Sequence, residues 1–425
     1  MRRPLLGFAV VLVLASGLSA NGLNLNGLGA RAASMGGAFV GLADDFTAVF
    51  WNPAGLALTK RGTFGLTGDL LLPASRYTLN DSFSMTTKSR AYPAGLAGFF
   101  QPIGDGVVVG VGAYTLSGIG ADWDSAGFET ALAYPTPSSF FTPTLDSYAW
   151  RSFIGSVTVS PSVAVRITDW LLFGATFNLS YGFFQTSQWG TSMLLFTKPP
   201  TLVNLGQQSL DIKGWGTGAT FGLLLKPSDR LSLGLTYRTQ AKMKLSGTME
   251  IENLGLIDLP ASTGTGLDVP SPSWLAGGIA VKPIGRLTAT FDLQWTNWAK
   301  LVGLDFAFAD PLWADAMTAE SWQDLEWKNR LQIRAGLEYA LGDFSIRAGY
   351  YNDPAPAPAE TLSVLIPSFS YNSVTAGFGY AKGHIKLDFG LEDLMGRDRT
   401  VTEGAMPGAY GMSIWVPMVS FGYTF

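Results

Sequence analysis

The residues able to do covalent chemistry in this chain are few and badly placed for it. There is no cysteine, which removes disulfides, thiolate nucleophiles and Cys-ligated metals, and a single histidine, His384. A serine hydrolase would need His384 as its base. That residue follows Lys382-Gly383 at a turn signal, where a solvated turn residue is the simpler reading. The carboxylates Glu392 and Asp393 have no metal-ligand company, and Gly36-Gly37 lacks the preceding strand and the lysine of a phosphate-cradling loop. This pattern argues against an enzyme and implies neither metal nor cofactor. What the chain offers instead is grip on apolar matter. Met193, Leu194, Leu195, Phe196 and Leu202 crowd one connecting segment, and Leu254, Leu256 and Ile257 another; apolar clusters on loops mark binding surfaces, or loops that bury one another. Arg238, Lys242 and Lys244 have no acidic partner on their own strand and could hold a carboxylate head group, the arginine bidentately.

The elements that carry these residues alternate with period two. In Leu287 to Trp295, the residues Leu287, Ala289, Phe291, Leu293 and Trp295 take one face, with Thr288, Thr290, Asp292 and Gln294 on the other. Ile385 to Glu392 does the same. Leu231 to Ser246 extends the pattern, with Ser232, Thr236, Arg238, Gln240, Lys242 and Lys244 on the polar face. A soluble sandwich also alternates, but these runs reach roughly 10 residues or more, the length a tilted membrane strand needs. Charged residues are only 14% and aromatics 13%, with 51 Gly, yet no internal apolar run is long enough for a spanning helix. In lipid only helices and closed barrels satisfy every backbone polar group. The expectation is therefore all-β: an antiparallel transmembrane barrel with one face in lipid and one in a polar lumen.

Short Gly/Asp/Pro turns near Gly104-Asp105, Thr168-Asp169, Pro227-Ser228-Asp229, Ile284-Gly285, Gly342-Asp343 and Lys382-Gly383 alternate with long connections near 73–93, 117–149, 189–211, 249–272, 300–327, 353–370 and 396–412. They delimit fourteen strands, near 62–72, 94–103, 107–116, 150–167, 171–188, 212–226, 231–248, 273–283, 287–299, 328–340, 344–352, 371–381, 385–395 and 413–425. In the last of these, Trp415, Val419, Phe421, Tyr423 and Phe425 share the lipid face, and a terminal Phe resembles the signal by which the barrel-assembly machinery takes up outer-membrane barrels. Trp150, Trp170, Trp295 and Trp298 suit interfacial girdles.

Residues 1–20 read as a secretory signal: Arg2 and Arg3, an apolar run Leu5 to Leu14, then Gly17, Ser19 and Ala20, with cleavage after Ser19 or Ala20. The formal charge of −4 argues against a nucleic-acid partner. Residues 21–60 form a separate unit ahead of the barrel at 61–425. From Gly27 to Leu58 the chain is rich in small residues and almost free of alternation. A barrel of about 8 strands fills its interior with side chains while 16–18 strands leave a channel, so fourteen call for a plug, and this stretch is the candidate. Arg31 reads as a plug-to-wall tether. Asp44 and Asp45 fit two roles, capping a short helix that begins at Phe46 or pairing with lumenal cations. A Gly342-Asp343 turn sets Glu338 opposite Arg347 as a cross-strand ion pair.

Within the plug, Gly29-Ala30-Arg31, Met35-Gly36-Gly37-Ala38, Ala43-Asp44-Asp45 and Asn52-Pro53-Ala54-Gly55-Leu56 follow in order. This set resembles the N-terminal hatch of the FadL family of outer-membrane transporters for long-chain fatty acids and other hydrophobic compounds. Asp292-Leu293-Gln294-Trp295-Thr296-Asn297-Trp298 is similar to a strand that recurs there. The resemblance implies a fourteen-stranded barrel in the cell outer membrane and passive uptake of a hydrophobic small molecule through apolar loops, a lumenal pocket and a lateral exit. It implies that Asn52-Pro53-Ala54 sit near that exit. From the residues alone, Asn52-Pro53 is a turn dipeptide that serves either as a plain helix stop or as a rigid corner. A general diffusion porin and a surface adhesin or structural barrel are the alternatives.

Overall fold

The computed structural model describes residues 22, 24–133, 148–190, 192–195, 201–318, 321–404 and 406–425. The expected signal segment and Phe196 lie outside these residues. Fourteen wall strands run up and down in chain order: β1 (Thr63–Asn80), β2 (Tyr92–Ile103), β3 (Val107–Asp124), β4 (Arg151–Arg166), β5 (Leu171–Trp189), β6 (Gln207–Ser228), β7 (Leu231–Arg238, then Ala241–Ile251), β8 (Ser262–Ser271, then Trp274–Ile284), β9 (Leu287–Thr296), β10 (Arg330–Leu341), β11 (Phe344–Asp353), β12 (Tyr371–Lys382), β13 (Ile385–Gly396) and β14 (Gly408–Thr424). Each pairs antiparallel with the next, and β14 returns to β1 from Thr63↔Thr424 to Thr78↔Ala409, which closes the barrel. The expected count of fourteen holds. Several strands run further toward the loop end than alternation marked, because the connections continue as paired ladders, such as Ala241↔Ser271 to Glu250↔Ser262.

The outer face carries the apolar belt, including Leu66, Leu70, Phe177, Phe221, Leu235, Phe291, Leu337, Phe389 and Val419, all exposed to the membrane side. Trp170 and Trp295 stand on that face, whereas Trp150 and Trp298 are buried under the loops. The inner face is polar and, at the level of the plug, lined with glycine.

One strand departs from its expected phase. Along β7 the partners change from Arg238↔Thr220 to Lys244↔Trp215, a slip of one residue. The extra residue is taken up at Thr239, whose N–H donates to the Ala219 carbonyl (2.9 Å) while its Oγ1 accepts from the Ala219 N–H (2.9 Å). A bulge of this kind flips every later side chain to the other face. Arg238 therefore points inward, but Lys242 and Lys244 point outward, and Met243 and Leu245 take the lumenal face. Lys242 pairs with Asp268 on the outside at 2.6 Å. The expectation of two lumenal lysines is corrected accordingly.

Inside the wall, residues 24–58 fold into three short turns of helix: α1 (Ala30–Ser34), α2 (Ala48–Trp51) and a 3-10 turn (Pro53–Leu58). The chain of small residues fits because the wall gives it space. Inward-facing Gly65, Gly112, Gly174, Gly222, Gly234, Gly336 and Gly377 lie so close to Phe46, Val49, Pro53, Asn52, Val40, Met35 and Ser34 that any Cβ there would collide with them. Gly36 and Gly37 both take left-handed φ, 64° and 65°, and turn the chain after α1 against the backbone of Ala335 and Tyr350. Hydrogen bonds complete the seat: Ala30 N–H to Ser420 Oγ (2.8 Å), Thr375 Oγ1–H to the Ser34 carbonyl (2.8 Å) and Val40 N–H to Asp292 Oδ2 (2.7 Å).

A closed circuit of charges locks the plug from the side. Arg31 holds Glu338 bidentately, 2.8 Å at each nitrogen, and also pairs with Asp44 and, at 3.4 Å, with Asp45. Glu338 accepts from Arg347 (2.6 Å), Arg347 pairs with Asp388 (2.7 Å), Lys386 bridges to Asp388 (3.8 Å), and Lys386 closes on Asp45 (3.7 Å). The cross-strand register Glu338↔Arg347 is the one the two-residue turn predicts. The helix begins at Ala48 with Thr47 as its N-cap, not at Phe46, so the capping role expected of Asp44 and Asp45 is not met; Asp45 accepts from the Thr47 N–H (2.9 Å) just ahead of the helix and faces two cations. Burial works against its charge, but Lys386 and Arg31 outweigh burial and hold its pKa below the usual 3.8. Its folded pKa being depressed, its contribution is full above about pH 4 and is lost as pH falls through the lower folded value.

Two outcomes follow for the plug. Breaking a buried pair from one side costs about 3–5 kcal/mol. Arg31→Gln is therefore expected to speed hydrogen exchange at Ala33 and Gly36 by about 100-fold or more while β-strand amides stay protected; unchanged exchange would show that the circuit does not hold the plug. Gly222→Val places a side chain where Asn52 sits, and overpacking of that kind costs about 1–3 kcal/mol. The expected readout is faster protease cleavage within 24–58, with the heat-modifiable gel shift of the intact barrel retained.

Candidate functional site

Above the plug the lumen narrows to an apolar cavity. Its walls are Ile154 from β4, Phe184 from β5, Met243 and Leu245 from β7 and Val269 from β8; its roof is Leu301, Leu304, Leu325, Trp327 and Ile366 from the long loops. The cavity volume is about 30 Å³, room for little more than one water molecule. The slot carries no ionisable side chain, and Ser117 supplies its one hydroxyl. Such a space is too small for a water column, and its lining is apolar, with flexible Met243 among it.

Of the expected loop residues whose side chains are described, Leu254, Leu256 and Ile257, none lines this space. Leu254 is fully buried in the cluster around Met243 and Leu245, Ile257 packs on its edge, and Leu256 is 63% exposed at the surface. Met193, Leu194 and Leu195 form one arm of a small hairpin, with Leu194 opposite Leu202. Sequence reasoning missed Leu301, Leu304, Leu325, Trp327 and Ile366, which come from two loops and share no period. It missed Met243 and Leu245 because of the bulge at Thr239.

The cavity touches a break in the wall. β2 and β3 pair only from Ile103↔Val107 to Leu96↔Tyr114. On its other side β3 bulges between Thr115 and Ser117, and its β2 edge next meets a strand at Trp123 and Asp124, which pair with the outer segment Phe83–Thr87. Over the intervening stretch that edge is covered by Asn24 and Leu25, just ahead of the plug helices. Asn24 bridges Ser117, and Leu25 N–H donates to the Leu116 carbonyl (3.3 Å). Ser117 thus belongs both to the cavity lining and to the break.

Asn52 is a three-way staple. Its Nδ2–H groups donate to the Val40 carbonyl (2.9 Å) and to Leu223 on β6 (3.0 Å), and its Oδ1 accepts from Ala54 (3.2 Å). Its extended backbone, φ −157° and ψ 101°, ends α2 and starts the Pro53–Leu58 turn, so the dipeptide stops the helix. It packs on β5 and β6 at Gly174 and Gly222. The residue that reaches toward the break is Phe50, whose ring meets Tyr114 edge-on at 5.5 Å.

Arg238 is inward and 5% exposed. It donates to the Phe50 carbonyl (2.9 Å) and to Thr220 (3.2 Å), and stands 5.0 Å from the Phe50 ring centre and 4.9 Å from that of Trp274. It is spent on holding the plug and is not part of the cavity lining. Among the described residues no group of three metal-ligating side chains gathers.

A family model described as outer membrane protein transport protein (OMPP1/FadL/TodX) matches residues 8–425. The long-chain fatty acid transport protein of Escherichia coli O6:H1 is 24% identical over 312 residues, 65% of this chain and 68% of that protein. Its Salmonella typhi counterpart is 24% identical over 309 residues, 66% and 69%. Among solved structures, a Pseudomonas aeruginosa FadL homologue superposes with a TM-score of 0.77 at 16% identity, covering 95% of this chain and all of that one. The Ralstonia pickettii toluene transporter TbuX gives 0.72 at 18% identity, covering 95% and 99%. Members of this family are transporters of hydrophobic compounds in the outer membrane, and the chain, matched along nearly its whole length, belongs to the OMPP1/FadL/TodX family.

Proposed function

We propose that this protein takes up hydrophobic small molecules passively along one continuous apolar path. The molecule enters the loop-roofed cavity, passes Met243 and Ile154, and leaves sideways between β2 and β3 once Asn24 and Leu25 withdraw from the edge of β3. The observation that carries the reading is that Ser117 lines the cavity and stands at the wall break. The driving force is transfer of apolar surface from water to the slot and then to lipid, which needs no energy source. Relatives carry long-chain fatty acids in one case and toluene in another; a cavity without charge suits the apolar part of either. Residues 21–60 act as the hatch and the C-terminal strand ending in Phe425 as the assembly signal.

Two experiments test the path. Met243→Glu puts a charge in a dry slot, where an unpaired carboxylate is expensive. Uptake of a radiolabelled long-chain fatty acid or of toluene by cells is expected to fall at least about tenfold at equal outer-membrane levels. Retained uptake would place the path elsewhere. In a chain without native cysteine, Asn24→Cys with Ser117→Cys creates the one possible disulfide, and antiparallel bridge partners have the Cα spacing it needs. The oxidised protein is expected to lose uptake and to regain it on reduction. Unchanged uptake with the disulfide formed would rule out this exit, and ion conductance in a planar bilayer would favour a porin.

A further inference from the structure

A second concavity lies on the outside of the same barrel. Beside Ala121 and Asp122 of β3, the outward faces of β4 to β7 form a polar cleft of about 500 Å³, within the range of small-molecule sites. Its lining differs in kind from the lumenal slot. Arg90 and Arg151 are its cations; Gln185, Asp211, Glu250 and several hydroxyls supply the rest, and Phe153 offers an aromatic face, stacked on Phe183 at 4.7 Å. Arg90 pairs with Asp122 at the rim. Arg151 donates to Ser187 Oγ at 3.1 Å and has no carboxylate within ion-pair distance among the described residues.

The ladders fix how high this cleft stands. Arg151, Ser187, Ser209 and Glu250 form one cross-strand row, and Phe153, Gln185, Asp211 and Thr248 the next. Two rows further down come Tyr181, Trp215 and Lys244, where the exposed Trp215 ring lies 4.9 Å from that of Tyr181 in a tilted pair, on the outward face as in an interfacial girdle. At roughly 3.3 Å per residue and a strand tilt near 40°, the cleft begins roughly 10 Å above that girdle. A phospholipid headgroup layer is only roughly 5–7 Å deep, so it does not fill the cleft. A lipid with a sugar head does.

We propose that this external cleft binds the phosphorylated glycan head of an outer-leaflet glycolipid. Arg151, with Arg90, holds a phosphate; Gln185, Asp211 and Glu250 exchange hydrogen bonds with sugar hydroxyls; and Phe153 packs on the apolar face of a ring. The cleft sits beside the upper end of the β2/β3 break, since its lining includes Tyr92, which opens β2, and Asp122, whose carbonyl accepts from the Lys88 N–H (2.7 Å) where pairing of β3 resumes. A bound glycolipid then screens the exit from the aqueous side. This assignment does not rest on the transport reading.

The test is native mass spectrometry of the detergent-purified protein with rough-type lipopolysaccharide, with the same lipid after phosphatase treatment, and with phosphatidylglycerol. Arg90 and Arg151 are exposed, so the double variant Arg90→Gln/Arg151→Gln is expected to keep its heat-modifiable gel shift. Charge-assisted contacts of this kind are each worth about a tenfold change in binding. Wild type is expected to retain the phosphorylated glycolipid, with at least about a tenfold loss on dephosphorylation and in the double variant, while Lys242→Gln, outside the cleft, changes nothing. Equal retention of phosphatidylglycerol, no retention of glycolipid, or full retention by the double variant would each overturn the assignment.

Discussion

Everything in this molecule depends on the contact between a barrel wall and a piece of its own chain. Fourteen strands enclose more space than their side chains fill, and a dry backbone placed there must find partners for each N–H and C=O. The structure meets both demands with glycine and hydrogen bonds. A band of inward glycines lets the plug backbone approach the strands, and Ser420, Thr375 and Asp292 receive or supply the bonds that helices too short to satisfy themselves leave open. The circuit from Arg31 through Glu338, Arg347, Asp388, Lys386 and Asp45 then fixes the plug's orientation, each charge having an opposite neighbour on two sides.

That contact is also what separates the two halves of the lumen. Below, polar side chains and charges are consumed by the plug. Above, the bulge at Thr239 turns Met243 and Leu245 inward and their lysine neighbours outward, so the upper lumen becomes apolar. A second bulge, in β3 at Leu116, leaves an edge that the first residues of the plug cover. Two one-residue irregularities thus create an apolar slot and an opening beside it. Bulges are known to re-aim side chains and end pairing near sites of function, and here both effects occur on the same barrel.

How much of this the sequence disclosed follows from the range of each interaction. Strand number, closure and the outward belt are set by period two and by turn residues, which are local and visible in runs such as Leu287–Trp295. The Glu338–Arg347 pair was legible because a two-residue turn fixes register, and the Arg31 tether because a lone arginine in a small-residue plug needs an anion. Lys242 and Lys244 were misplaced because a bulge of one residue has no strong local mark: Thr239-Gln240 reads as ordinary alternation. The cavity roof escaped because Leu301, Trp327 and Ile366 meet only in three dimensions, from places far apart along the chain that share no period. Arg238 shows the converse case. Its lumenal position was read correctly, but its partners, a backbone carbonyl and ring faces, carry no sequence signature.

The most direct measurement of the central claim is a crystal structure of the protein soaked with a brominated long-chain fatty acid or bromobenzene, read by anomalous scattering from bromine. The account predicts peaks in the slot beside Met243 and Leu245 and, as occupancy rises, next to Ser117 at the β2/β3 break. Peaks confined to the membrane belt, or strung through the plug beside Arg31 and Glu338, would contradict it.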